Sequence, residues 1–325
     1  YAANVGFRDR RFHSRRAKDL AAARQEIHRR EVTWQSKDSY LLMLSGQPSR
    51  TLLGSAIRRG QHQLLDRPLI LDDPVVLKLV PEAADPRALL EMGGPQEAVP
   101  TLLRALMAMR ARFTEDRLMK AAQRGARQYV IIGAGLDTFP WRQPAFAQAM
   151  TIFAADHPES LVWTQRRLRQ CELTRPANLA HVPIDLENAD IGVQLEACGF
   201  DRSLVSFCSV LGVIHYLEIG AVEALLTFAA SLMPGSEIVL SVLTLDEDLS
   251  GQDLEASIQG VAVTNGLSEP WKFRQRPTVF VDRLRRKGFS SAFHLTPEVA
   301  QELYFFDRQD NLRAPRWEQL IVAIV

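Results

Sequence analysis

The stretch GARQYVIIGAGLDTFPWR, Gly125 to Arg142, reads as a buried strand running straight into a glycine turn. Tyr129, Val130, Ile131 and Ile132 form a short apolar run of β-favouring residues. Gly133, Ala134 and Gly135 then bring the backbone round with almost no side-chain bulk, which lets a ligand approach the main chain. In doubly wound α/β domains, nucleotides bind in the crevice beyond the carboxyl ends of the strands, where small residues admit an adenosine group. A dinucleotide fingerprint would place a third glycine three residues on, and Thr138 stands there. The stretch therefore leans away from a nicotinamide cofactor.

Moving outward, Thr151 to Ala155 form a second apolar run that ends at Asp156, His157 and Pro158. An acidic residue at the end of the second strand of an α/β nucleotide site accepts hydrogen bonds from ribose hydroxyls, and Asp156 is the candidate. A third acid follows in HVPIDLENAD, where Asp185 and Leu186 close a strand. Taken singly, Asp156 and Asp185 fit equally well as loop caps, because Asp is a good cap and turn former. Their order behind a glycine turn points to a nucleoside site.

From Gly125 onward, strands alternate with helices, the pattern of a mainly parallel sheet with crossover helices. Seven strands are expected, at 129–132, 151–155, 180–184, 204–209, 237–243, 290–295 and 320–325. Helices are expected at 159–171, 190–198, 219–232, 248–259 and 278–287. Ahead of the sheet, residues 49–80 carry helical spacing broken at Pro68 and Pro74, 81–100 read as a loop, and 101–124 return to helical periodicity. We divide the chain into an N-terminal helical extension, 1–48, and a domain over 49–325, made of a helical cap (49–118) and a Rossmann-like core (119–325).

Thirty-nine basic residues against 38 acidic ones leave a net charge of +1, so no global attraction to nucleic acid is expected. Cys171, Cys198 and Cys208 lack CxxC spacing, which indicates neither a disulfide framework nor a metal centre and fits a reducing, cytoplasmic setting. No apolar run approaches the roughly 20 residues of a membrane span, and no signal peptide is visible. The arginine-rich opening, YAANVGFRDRRFHSRRAKDL, fits a solvated helix or extension better than a transit peptide or a nucleic-acid arm.

In this order the motifs resemble the S-adenosylmethionine-dependent methyltransferases of the leucine carboxyl methyltransferase type, in their bacterial, secondary-metabolite-like branch. The resemblance rests on SRTLLGSAIRRGQHQLLDRPLILDDP, RARFTEDRLMKAAQRGARQYVIIGAGLDTFPWR, DHP, PIDL, LGVIHYL, the MPGS turn and YFFDRQDNLRAPRWEQLIVA. It implies a class I α/β fold of seven strands with an antiparallel last strand, S-adenosyl-L-methionine as cofactor, and a small-molecule acceptor. By the same resemblance Gly133, Ala134 and Gly135 approach the methionine part of the cofactor, Asp156 the ribose, and Asp185 and Leu186 the adenine. Arg110 or Arg112 would pair with the cofactor carboxylate, a task that suits a bidentate guanidinium. Two positions depart from the family pattern: Ala154 stands where a glutamate is common, and Leu211-Gly212 precede Tyr216-Leu217 where Glu-Gly is common.

Methyl transfer is an in-line displacement, so the protein has mainly to align the reactants and exclude water. A carboxylate acceptor needs no base at neutral pH, whereas a phenol benefits from one. His215, with Tyr216 beside it, is the catalytic candidate just after the fourth strand. We expect O-methylation, on a carboxylate in the first instance. The alternatives are a hydroxyl or phenol acceptor, a nicotinamide-dependent oxidoreductase, and a homologue that binds the cofactor without turnover.

Overall fold

Seven strands form a single sheet in the order β3-β2-β1-β4-β5-β7-β6, in a computed structural model that describes residues 50–85 and 98–325. The strands are β1 (Gln128–Ile132), β2 (Thr151–Asp156), β3 (Leu179–Pro183), β4 (Ser206–Val210), β5 (Glu237–Leu243), β6 (Ser291–Leu295) and β7 (Glu318–Ile324). Strands β1 to β5 pair in parallel, and β7 lies antiparallel between β5 and β6. This is the class I methyltransferase arrangement expected from the sequence, its last strand reversed. The strand limits differ from the expected ones by at most two residues.

Alternation along the strands divides the apolar interior into two layers. Tyr129 and Ile131 of β1, Val239 of β5 and Leu320 and Val322 of β7 enter one cluster. Val130 and Ile132, Ile238 and Leu240, and Ile321 and Ala323 enter the other. All five residues of β1 are buried. Both faces of a parallel sheet are covered by helices, which is why its central strands read as unbroken apolar runs.

Ten helices are seen among the described residues. Ahead of the sheet come α1 (Arg50–Leu65), α2 (Val76–Leu79) and α3 (Ala98–Gln123), and then α4 (Phe139–Arg142), α5 (Pro158–Gln170), α6 (Ile191–Ala197) and α7 (Ile219–Ala230). The last three are α8 (Gly251–Gly266), α9 (Pro277–Arg286) and α10 (Pro297–Tyr304). The expected extension over 1–48, and 86–97 of the expected loop, lie outside the described residues.

Three local expectations are corrected. Residues 81–84 form a 3-10 turn, and α3 begins at Ala98. It carries Pro100 in its first turn, where a missing N–H leaves no intrahelical bond unmade. It also runs unbroken past 118–119, the expected border of cap and core, because Leu106, Phe113 and Leu118 all pack into the layer that holds Tyr129. Helix α10 was not expected, although Thr296 accepts from the Val299 N–H as its N-cap and Pro297 starts it.

The cap has its own small core. Ala56 and Ile57 of α1 meet Val76 and Leu79 of α2, Val80 and Ala83, and reach Leu136 of the glycine turn and Leu168 of α5. Beneath it the Asp66 carboxylate receives Arg104 Nε at 3.1 Å and His62 Nδ1 at 3.0 Å, while His62 Nε2 accepts from the Ile70 N–H. A buried arginine, carboxylate and imidazole thus satisfy one another and tie α1 to α3.

Candidate active site

The carboxyl ends of β1 to β4 border one cavity of about 600 Å³. Reversed β7 adds its first residue, Glu318, and the preceding Trp317 to that same edge. The cavity sits beyond β1 and β4, where the strand order turns back on itself, the usual ligand crevice of such sheets.

The glycine turn forms one wall. Gly133 and Gly135 have φ of +72° and +49°, values that favour glycine. The Gly133 and Ala134 N–H groups both donate to Ala155 O, which ties the turn to β2. The missing side chains make room for protein as well as for a ligand: a Cβ on Gly133 would lie 2.2 Å from Val213 Cγ2, and one on Gly135 3.0 Å from Leu52 Cγ. The expectation that small residues there serve ligand approach is therefore incomplete.

Asp156 ends β2 at the floor of the cavity. Its carboxylate accepts from the Gly135 N–H at 2.6 Å and from the His157 N–H at 2.7 Å. Burial pushes its pKa up, and those two N–H donors oppose the rise. Asp185 also lines the cavity, with its oxygens engaged by the Glu187 N–H at 3.0 Å and Asn188 Nδ2 at 2.8 Å, which hold its pKa below the usual carboxylate range. Each carboxylate oxygen has a second lone pair, so both residues combine a turn-forming role with capacity to accept from a ligand. Leu186 lies beside them on the wall.

The two candidate arginines separate. Arg110 of α3 lines the cavity and pairs with Glu318 at 3.2 Å. Its guanidinium lies flat against Gly212, where a Cβ would come within 2.9 Å of Nη1. Arg112 is 48% exposed, bonds Asp116 one turn on at 2.9 Å, and is not among the lining residues. Helical geometry explains this, since residues two apart point about 200° apart around the axis.

His215 and Tyr216 stand at the other end, in the turn after β4. His215 is buried, its Nδ1 has no hydrogen-bond partner, and burial lowers its pKa to about 4. Its ring meets Tyr216 at 4.5 Å and Trp271 edge-on at 5.7 Å, and Trp271 stacks on Trp317 at 5.9 Å. Burial also raises the Tyr216 pKa. Of this aromatic wall the sequence reading identified only His215 and Tyr216. Trp271 arrives from the loop after α8, and Trp317 from the approach to the reversed strand.

Thr138, in the place of a third fingerprint glycine, is buried and donates to Asp73 at 2.6 Å while accepting from Arg142 Nε. The acidic Asp137 accepts from the Phe139 N–H at the start of the four-residue α4. A pyrophosphate needs a helix N-terminus free of negative charge, and here a carboxylate occupies it. The nicotinamide alternative thereby loses its phosphate site. Ala154, where the family often has a glutamate, is buried in the sheet interior. Among the described residues no helix is long and apolar enough to cross a membrane.

Comparison with known proteins agrees with this geometry. The chain is 29% identical over 303 residues to the Bacillus subtilis protein named "Putative S-adenosyl-L-methionine-dependent methyltransferase YktD", covering 84% of this chain and 96% of that one. A Mycobacterium avium protein of the same general name is 30% identical over 273 residues, covering 79% and 89%. The fold matches a DUF574 family protein from Streptomyces avermitilis at a TM-score of 0.51 with 16% identity, covering 83% of this chain and 96% of the other. A chain from Thermobifida fusca matches at the same TM-score with 15% identity, covering 90% and 98%. The family model of leucine carboxyl methyltransferases matches residues 52–230, from the first turn of α1 to the end of α7, and the chain belongs to that family.

Proposed function

We propose that this protein transfers the methyl group of S-adenosylmethionine to a hydroxyl oxygen of a small aromatic acceptor. Family membership brings the methyl donor, and the residues lining the cavity fit it. Seven carboxylates (Asp137, Asp156, Glu159, Asp185, Glu187, Glu269 and Glu318) face three cations (Arg59, Arg110 and Lys272), an excess that suits a ligand bearing sulfonium and ammonium charge. Asp156 would hold the ribose, Asp185 and Leu186 the adenine, and Arg110 the carboxylate. When bound, the cofactor supplies an electrophilic methyl carbon.

The observation that carries the acceptor class is the aromatic end of the cavity, where Trp271, Trp317 and Tyr216 surround His215. Such a wall binds a planar apolar body through offset and edge contacts. His215 is uncharged at neutral pH because burial disfavours its cation, so one ring nitrogen retains a lone pair. During transfer to a hydroxyl acceptor, that nitrogen of His215 would take the hydroxyl proton. The low basicity of the buried ring then returns the proton to water. A carboxylate acceptor, the first expectation from the sequence, would meet lining cations that already face acids: Arg110 pairs with Glu318, Lys272 with Glu187 and Glu218, and Arg59 lies 3.6 Å from Asp73.

The test incubates the protein with S-adenosylmethionine and matched sets of phenols and aromatic acids, following S-adenosylhomocysteine release and product mass. Methyl ethers are expected. Methyl esters would return the assignment to carboxylates, and failure of calorimetry to detect cofactor binding would remove the methyltransferase reading altogether.

A further inference from the structure

Glu318 opens β7 with its side chain only 3% exposed, yet it belongs to the cavity wall. A buried carboxylate is costly unless paired, and one ion pair, Arg110 Nη1 to Oε1 at 3.2 Å, compensates it. The same carboxylate acts electrostatically on both His215 and Tyr216, which places its charge at the acceptor end. The other charges around that end come from separate elements. Glu269, Lys272 and Arg274 all lie in the loop between α8 and α9, with Glu269 accepting from Thr51 of α1 at 2.7 Å and Arg274 acting electrostatically on His215. Arg274 is itself committed to Asp246 and Thr244 O. Of the described lining cations, Arg59 faces Asp73 at 3.6 Å, Arg110 pairs with Glu318 and Lys272 pairs with Glu187 and Glu218, so a bound acid would meet the Glu318 carboxylate with each of these cations already facing an acid.

We propose that Glu318 sets the charge of the acceptor, admitting neutral aromatic molecules and turning away their carboxylates. This rests on the methyltransferase reading and adds a specificity-determining residue to it. Rejection by a like charge in a dry wall is the usual way a site separates molecules of equal shape. Removing the charge deletes the repulsion, while Arg110 stays, in its proposed role, with the cofactor carboxylate.

The test uses protein saturated with S-adenosylhomocysteine and two isosteric probes, 2-naphthamide and 2-naphthoate, titrated by calorimetry and by quenching of tryptophan fluorescence. Wild type should bind the amide at least about tenfold more tightly than the acid, and Glu318→Gln should shrink that ratio to about threefold or less. Glu318→Asp, which keeps the charge, should retain the preference, and Glu318→Leu, which removes it, takes the place of the Gln variant if that one fails to fold. Equal or tighter binding of the acid by wild type, failure of either probe to bind, or an unchanged ratio in a folded Glu318→Gln would overturn the inference. Absence of the preference in wild type with S-adenosylhomocysteine still bound sinks this inference alone, whereas absence of S-adenosylhomocysteine binding by wild type sinks the methyltransferase reading beneath it.

Discussion

Gly133 and Val213 are in contact across the cavity floor, at a separation that leaves no room for a Cβ on the glycine. The turn after β1 and the loop after β4 are therefore seated against each other before any ligand arrives. Gly133→Ala adds both a clash and a strained positive φ, and should cost about 2 to 4 kcal/mol of stability. Thermal denaturation of Gly133→Ala with and without Val213→Ala checks this, with the second change expected to restore the steric part. An unaltered melting temperature in the single variant would show that the loop simply moves aside.

Asp156 accepts from the Gly135 N–H of the turn and lines the cavity. A hydrogen bond to a charged group contributes about 1.5 to 3 kcal/mol, so Asp156→Ala should weaken S-adenosylhomocysteine binding at least tenfold. Calorimetry giving the wild-type affinity would remove Asp156 from the ribose site.

The two arginines of α3 provide an internal comparison. Arg110→Ala should lower cofactor affinity by about tenfold or more, since a guanidinium paired with a carboxylate is lost from the wall. Arg112→Ala removes an exposed pair with Asp116 and should change affinity by less than about twofold. Equal effects of the two variants would contradict the placement of α3.

His215 makes stability depend on pH in a stated direction. Its folded pKa of about 4 lies below the ordinary value of 6.5, so the unfolded chain takes up the proton first as the pH falls. The neutral buried ring is fully compatible with the fold above pH 6.5, and stability is lost progressively from there down through pH 4, on the order of 3 kcal/mol in all. Denaturation of wild type and His215→Phe between pH 7 and pH 4 should show this component disappear in the variant. The same ring should leave methyl transfer nearly flat from pH 6 to 8, and a rate rising steeply through that window would contradict a buried neutral base.

Asp66 tests the support beneath the cap. Asp66→Ala strips Arg104 and His62 of their shared carboxylate in a fully buried setting, and should cost about 3 to 5 kcal/mol. Urea denaturation showing a loss below about 1 kcal/mol would mean that water compensates the exposed guanidinium.

Much of this site was legible because it is local in sequence. Strand, glycine turn and Asp156 follow one another within thirty residues, and unbroken apolar runs and turn chemistry mark them. Arg110 was narrowed to two positions but not one, since choosing between them requires the rotation of α3 about its axis. Glu318, Trp317 and Trp271 were beyond reach for another reason. Their sequence neighbourhoods carry no chemistry of their own, and a reversed strand and an irregular loop bring them to the cavity. Helix α10 did leave a signal in Thr296-Pro297, so its omission was one of reading.

The last cavity residues in the chain, Trp317 and Glu318, enter with a strand that must slide between two others, β5 and β6. During synthesis, the cavity residues from Gly133 to Leu186 leave the ribosome well before the strand that bears Glu318. In the proposed roles, a nascent chain would carry the residues for the donor early, whereas selection by Glu318 would wait for the final antiparallel insertion.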